Sequence, residues 1–458
     1  MSTGNPDAAA PEVDRRSRRR SVVAALIGNV MEFFDFAVYG FLAVVIGQVF
    51  FPGGSATAQL LSALAVFGVA FLFRPLGGAV FGYISDRFGR RVSLSGAIVL
   101  MSLSTAAIGI LPGYATAGIF APILLVAMRC LQGISVGGEF SGGSTFIAEY
   151  APPNRRGLWV SMMSSSAALG TLLGSGSVLL LGSLISPEAM NSWGWRIPFL
   201  VAIPMGALGV YMRLRLDDTP VFEEMKKEEP AERRSPLKTL TRRDVGMIAL
   251  TFVFAGATGL GFYYYTTYFN SYFTTTLGFE RSTAITLNLV GLVFYAALCP
   301  LAGLLSDRIG RRRTYLTGFF AMAVIAVPAF LLMGLGPVGA LLGLLLFSLP
   351  QALNNVMVSI VPVELFTTQN RVTAGAIGYN LGVGIISGTG PLVAAALVAG
   401  TGSALAPGFY LAAIVLVAGI VIAAALPETF RRSLYHAPVG ESPESPATTD
   451  DTVRSTHS

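Results

Sequence analysis

The chain has 458 residues, of which 53% are hydrophobic and only 12% charged, with a mean hydropathy of +0.65. Soluble domains carry about twice that share of charge, ~25%, so the apolar excess has to face lipid. The two histidines and the two cysteines, Cys130 and Cys299, share no metal-ligand spacing, which excludes a disulfide scaffold and leaves a zinc or redox enzyme without support.

Residues 1–20 form a basic tail containing Arg15, Arg16, Arg18, Arg19 and Arg20. The apolar run at roughly 21–50 carries Glu32 and Asp35, exceeds the length of a signal-peptide core and lacks a small-residue cleavage site. It reads as a retained first helix. A membrane span needs ~20 mainly apolar residues, and such runs recur at 59–84, 92–111, 120–149, 157–184 and 196–214. The polar, mixed-charge stretch 215–243 reads as a linker. Six further runs follow at 245–272, 284–305, 314–334, 338–366, 372–398 and 408–426, before a Ser-, Thr- and Pro-rich tail at 433–458 that reads as disordered.

Twelve spans with the N-terminus inside place 27 of the 31 Lys and Arg on one side, in its tails and loops and, for Arg213, at the adjoining end of the sixth run. That asymmetry marks the cytoplasmic face. Both termini are expected there, in a multi-pass protein of the cell membrane. The net charge of +6 therefore sits where a bilayer surface requires it, and nucleic acid is not an expected partner.

The two sets of six spans match one another. GYISDRFGRR at 82–91 recurs as GLLSDRIGRR at 303–312, and Glu149 with Arg156 recurs as Glu364 with Arg371. The expected fold is an all-α membrane protein with twelve transmembrane helices in two pseudo-symmetric six-helix bundles, 21–214 and 244–432, with a site between them. In the repeated loop, Gly82 and Gly303 let a helix end approach its neighbour, while Gly89 and Gly310 permit a tight turn. Asp86 and Asp307 can face the positive end of a helix across the seam. Arg87, Arg90, Arg308 and Arg311 anchor the surface, and Glu149, Arg156, Glu364 and Arg371 reach the same face. Together these are expected to form a cytoplasmic gate. Glycines in GISVGGEFSGG (133–143), at Gly170 and Gly174, and at Gly378 and Gly382 have the spacing of close helix contacts.

Ionisable groups at membrane depth cost from ~2.5 to more than 10 kcal/mol. Glu32, Asp35, Arg74, Arg129 and Glu139 stand at such depth in the first half. The plain reading is buried ion pairs. Yet two arginines against three carboxylates leave one acid without a cation, and desolvation favours the protonated form of such an acid. At least one of Glu32, Asp35 and Glu139 is therefore expected to carry the coupling proton. Asn29 and Tyr39 lie near the same face of the first helix. With Arg74 and Arg129 they are expected to meet substrate, opposite Tyr264, Tyr268, Asn354 and Asn380 of the second half. Those four come from the polar clusters Tyr263–Asn270, Gln351/Asn354/Asn355 and Tyr379/Asn380. Aromatic faces beside carboxylates suit an ammonium, although tyrosines at span ends also form the interfacial belt.

The repeated loop resembles the signature of the major facilitator superfamily. GNVMEFFDFAVYGF (28–41), FRPLGG (73–78), LQGISVGGEFSGG (131–143), AEYAPPNRRG (148–157) and GWRIPFL (194–200) are similar to its metabolite:proton symporter family, the first two above all to the proline/betaine branch. The resemblance covers all twelve spans. It implies that Glu32, Asp35, Arg129 and Glu139 match the family's intramembrane charges, and Asp86, Arg87, Gly89 and Arg90 its gate. It also implies substrates among organic acids, such as 2-oxoglutarate, citrate and shikimate, and zwitterionic osmolytes. Osmosensing members end in a coiled coil, whereas 433–458 has no heptad pattern.

The leading expectation is an importer: a proton-coupled symporter of a small polar metabolite, needing no cofactor beyond the proton and no metal. One chain carries both halves, so a monomer suffices. A drug-exporting antiporter is the first alternative, against which SSSAALGTLLGSGS in the fifth span lacks the antiporters' Gly-Pro. A non-transporting sensor on the same scaffold is the second. No catalytic constellation and no GxxxxGK[ST] loop is present, so neither an enzyme nor an ATP-driven pump is supported.

Overall fold

Backbone polar groups in hydrocarbon must be satisfied within their own segment, which favours helices wherever the chain crosses lipid. The computed structural model describes residues 15–88, 90–137, 143–145, 147–148, 151–214, 241–366 and 371–430, and among them there is no strand. Residues 1–14, most of the linker 215–243 and the C-terminal tail lie outside the described residues, and the basic residues of the expected tail, from Arg15 on, are already helical.

The first half comprises α1 (Arg15–Phe41, continued by Ala43–Phe50), α2 (Ala56–Leu72 and Arg74–Phe88), α3 (Arg90–Ile110), α4 (Phe120–Val136), α5 (Arg156–Leu184) and α6 (Arg196–Leu200 and Ala202–Leu214). The second comprises α7 (Arg242–Tyr263, prolonged by π turns to Thr276), α8 (Arg281–Ile309), α9 (Arg311–Met333), α10 (Pro337–Leu365), α11 (Arg371–Gly382, continued to Thr401) and α12 (Ala406–Ala425). Among the described residues nine helices are long and apolar enough to span a bilayer, and the bent pair in α1 makes a tenth. The shorter apolar helices Ser95–Ile110 and Phe120–Val136 occupy the third and fourth positions, so every expected span has a helix.

Two local features depart from uniform spans. α1 is helical from Arg15 and bends by 62° at Leu42, where the Phe41 carbonyl accepts Asn270 Nδ2 of α7 at 3.2 Å. A kink frees backbone groups, and a side chain from the opposite half takes one of them. α7 and α11 contain π turns at Tyr264–Tyr268, Tyr272–Thr276 and Val383–Ser387. Each π turn rotates the following residues relative to a regular helix.

The duplication is visible in packing. Gly170 and Gly174 of α5 rest on the backbone of α1 at Val30 and Phe34, and Gly378 and Gly382 of α11 rest on α7 at Ile248 and Phe252. Lipid offers no hydrophobic drive between helices, so close van der Waals approach through glycine has to supply the contact. Within the first half, Gly77 of α2 meets the Ile134 carbonyl, while Gly133 and Gly137 of α4 meet the carbonyls of Ala70 and Arg74.

A methyl group at Gly133 or Gly137 would meet backbone that cannot turn aside, whereas Gly176 faces open space. Gly133→Ala and Gly137→Ala are each expected to destabilise the protein by about 1–3 kcal/mol, with Gly176→Ala showing no loss. Thermal unfolding of the purified variants in detergent checks this; equal melting of all three would refute the packing argument.

Candidate functional site

Four polar residues of α1 point to three different neighbours. Asn29 Nδ2 donates to Met163 O at 2.9 Å and Ser166 Oγ at 2.8 Å, tying α1 to α5. Tyr39 Oη donates to Ala63 O of α2 at 3.0 Å. Glu32 pairs with Arg74 of α2 at 2.9 Å, both side chains 1% exposed. Removing one member of such a pair would strand the other charge away from water. Arg74 also lies 5.5 Å from the Phe71 ring and 6.0 Å from that of Tyr379, so its guanidinium touches the second half.

Asp35 and Arg129 make no ion pair among the described residues. They are joined through two neutral side chains instead. Arg129 Nη1 donates to Gln132 Oε1 at 2.8 Å, Gln132 Nε2 to Thr105 Oγ1 at 2.6 Å, and Thr105 Oγ1 to Asp35 Oδ2 at 2.6 Å. The guanidinium lies over Tyr39 at 4.2 Å, Phe67 at 5.2 Å and Phe36 at 5.6 Å. These ring faces stand where water would otherwise solvate the cation. Thr105 and Gln132 were not among the residues expected from sequence; the spacing of Gln132 three positions after Arg129 on one helix was the available signal.

A central cavity of about 30 Å³ lies between the halves, lined by Phe33, Met163, Ser164 and Ala167 from one side and by Thr258, Tyr263, Asn355, Ser359 and Tyr379 from the other. That space is on the scale of one or two waters. Two residues of the cavity wall, Tyr379 with its ring 6.0 Å from the Arg74 guanidinium and Tyr263, which interacts with the same guanidinium, place the cavity beside the Glu32–Arg74 pair.

The expected second-half contacts lie elsewhere. Tyr264 Oη donates to Pro407 O of α12 at 3.4 Å, and Tyr268 packs between Tyr264 and Tyr272 at 5.1 and 5.6 Å. Asn354 faces Gly318 of α9, and Asn380 Nδ2 donates to Gly137 O of α4 at 2.9 Å, a link between halves. The cavity takes their sequence neighbours Tyr263, Asn355 and Tyr379. One residue turns a helix by about 100°, which separates the two sets.

At the end of the bundle that carries the repeated loop, Asp307 accepts Gly157 N at 2.8 Å and Leu158 N at 2.9 Å, capping α5 across the seam. A carboxylate there faces the positive end of the helix. Glu364 accepts Arg156 Nη1 at 3.1 Å from the first half and Arg311 Nε at 3.3 Å from the second, and Thr429 Oγ1 donates to it at 2.8 Å. Arg311 also holds Asp307 at 2.8 Å. Gly310 has φ +97°, so the turn between α8 and α9 needs glycine, and Glu428 caps the backbone of Arg311 and Arg312 beside it. Gly303 meets the Gly157 carbonyl at 2.6 Å from where a Cβ would stand, and Arg308 is exposed. Arg156 thus reaches the second copy's glutamate. Glu139, Glu149 and Gly89 lie outside the described residues, as do the surroundings of Gly82, Asp86, Arg87, Arg90 and Arg371 within their helices.

The sequence profile of the Major Facilitator Superfamily matches residues 25–379 and 293–453. The chain is 37% identical over 435 residues to a proline/betaine transporter of Salmonella typhimurium, covering 93% of this chain and 86% of that one. It is 38% identical over 437 residues to a glycine betaine/proline/ectoine/pipecolic acid transporter of Dickeya dadantii, with the same 93% and 86% coverage. Among solved structures, a proton:xylose symporter bound to 6-bromo-6-deoxy-D-glucose superposes with a TM-score of 0.77 at 19% identity, over 92% of this chain and 98% of that one. A partially occluded inward-open form of the Escherichia coli xylose transporter superposes with a TM-score of 0.73 at 20% identity, over 90% and 99%. The family profile and the relatives together assign the chain to the major facilitator superfamily, in the branch that holds the proline/betaine transporters.

Proposed function

We propose that this membrane transporter is a proton-coupled symporter that imports a small zwitterionic metabolite of the proline or betaine kind by alternating access. One observation carries the proton coupling: Asp35 is 5% exposed and has no cation within ion-pair reach among the described residues. A carboxyl in that position can carry a proton without first breaking an ion pair. The zwitterion is supported by the cavity wall, which has no ionised side chain, and by the bordering Glu32–Arg74 pair, whose net charge is zero. A ligand with one positive and one negative end matches a paired acid and base beside the rings of Tyr263 and Tyr379. An organic acid such as 2-oxoglutarate would bring net negative charge to that wall. The transporters named for proline, betaine and ectoine among the relatives support the same choice.

We assign the end carrying Asp307 and Glu364 to the cytoplasm, with both termini there, because the Lys and Arg of the loops gather on it. The cross-seam bonds of Asp307 and Glu364 then act as the cytoplasmic gate, which opens when substrate and proton favour the other state.

Proteoliposomes with an imposed inward proton gradient and labelled glycine betaine or proline test the function. Asp35→Asn is expected to lower gradient-driven accumulation at least about fivefold while leaving counterflow. If Asp35→Asn, Glu32→Gln and Glu139→Gln all accumulate solute like the parent, proton coupling through these carboxyls is wrong. Flux outward down the same gradient would indicate an antiporter, and absence of counterflow a sensor.

For the gate, Glu364→Gln takes the shared carboxylate from two arginines, a loss of about 3–5 kcal/mol for a buried pair. Spin labels on Asn154→Cys and Arg308→Cys, both exposed, in a Cys130→Ser, Cys299→Ser background, report the separation of the halves. The longer-distance population is expected to grow at least about fivefold. An unchanged distance distribution would remove Glu364 from the gate.

A further inference from the structure

Thr105, fully buried, stands between Asp35 and Arg129, which make no ion pair among the described residues. Its hydroxyl has one hydrogen and two acceptors in reach, Asp35 Oδ2 at 2.6 Å and Met101 O at 2.9 Å, and its oxygen also accepts Gln132 Nε2 at 2.6 Å. A hydroxyl offers one donor and two lone pairs. With Asp35 ionised, the hydrogen points to Oδ2 and one lone pair takes Gln132. With a proton on Oδ2, the carboxyl donates to the second lone pair and the hydroxyl hydrogen turns to Met101 O. In both protonation states the bond between Thr105 and Asp35 Oδ2 is kept and the hydroxyl hydrogen has an acceptor, so the switch needs only rotation about the C–O bond of Thr105.

We infer that Thr105 is a positioning residue for proton coupling, a hydroxyl switch that holds Asp35 in both protonation states and passes the change through Gln132 to Arg129. The inference rests on the proton-symport reading. The proton comes from water, binds Oδ2 and returns to water; no bond between heavy atoms forms or breaks. The charges acting on Asp35 are Arg129 of α4 and Glu32 of its own helix, the latter already held by Arg74 of α2; among the described residues α3, α5, α6 and α7 set no charge against it. When Asp35 becomes neutral, Gln132, the Phe67 carbonyl at 3.4 Å and the three ring faces still hold Arg129.

Infrared titration of the purified full chain in liposomes reads this directly. The signal is the protonated-carboxyl C=O band that Asp35→Asn removes. In Thr105→Val the ionised carboxyl loses a charge-assisted hydrogen bond, so the midpoint is expected to move about one to two pH units towards alkaline. Thr105→Ser, which keeps the hydroxyl, is expected to titrate like the parent. Should Thr105→Val not fold, Thr105→Cys, a weak donor, takes its place with a shift in the same direction. A valine variant that titrates like the parent, or a serine variant that titrates like valine, overturns the switch. An unshifted band with intact gradient-driven glycine betaine uptake overturns the switch alone. A shifted band with uptake indifferent to the pH gradient overturns proton symport, and the coupling role of Thr105 with it.

Discussion

Charge inside a hydrocarbon layer has to be met by protein, because neither water nor counterions are at hand. The first half of this chain meets it in two ways. Glu32 and Arg74 cancel each other at contact distance. Asp35 and Arg129 are instead held apart, bridged by an amide and a hydroxyl, with the arginine packed among aromatic rings. The first arrangement is neutral. The second keeps an acid whose charge is not committed to one partner, and everything attributed to proton coupling depends on that difference.

The rest of the architecture encloses these groups. Glycines bring α5 onto α1 and α11 onto α7 at equivalent places in the two halves, which closes the bundle tightly around its centre. The seam between halves is bonded at both ends. Asn270 of α7 takes the Phe41 carbonyl at the α1 bend, and Asp307 caps α5 at the opposite end. Between them the cavity holds about 30 Å³, too small for an osmolyte. This is a closed arrangement, and in the proposed alternating access one set of these bonds breaks while the other persists. Glu364, bonded at once to Arg156 and Arg311, joins the halves through charge, so its loss would be felt on both sides of the seam.

Much of this was legible beforehand. Span positions, the duplication and the depth of Glu32, Asp35, Arg74 and Arg129 follow from hydropathy and charge along the chain, because lipid sorts residues by polarity irrespective of what they touch. The glycine pairs were legible for the same reason: small residues four apart share one helix face. The bend at Leu42 was not: Gly40 stands two residues before it, but a glycine within a span also marks close helix packing, here on Thr267, and the Phe41 carbonyl is satisfied from α7. Nor was the partner of Arg156, which the repeat sets beside Glu149 in sequence and the fold brings to Glu364.

The second-half residues mark the boundary most clearly. Tyr264, Asn354 and Asn380 sit beside Tyr263, Asn355 and Tyr379 in the chain, and only the latter three line the cavity. Composition along the sequence determined the membrane class, the twelve helices, the paired halves and the presence of buried charge, because each depends on local polarity and period. Tertiary structure alone decided which charges pair, which hydroxyl and amide lie between Asp35 and Arg129, and which side of each helix faces the centre. Those depend on rotations of about 100° per residue and on contacts between helices far apart in the chain, neither of which hydropathy records.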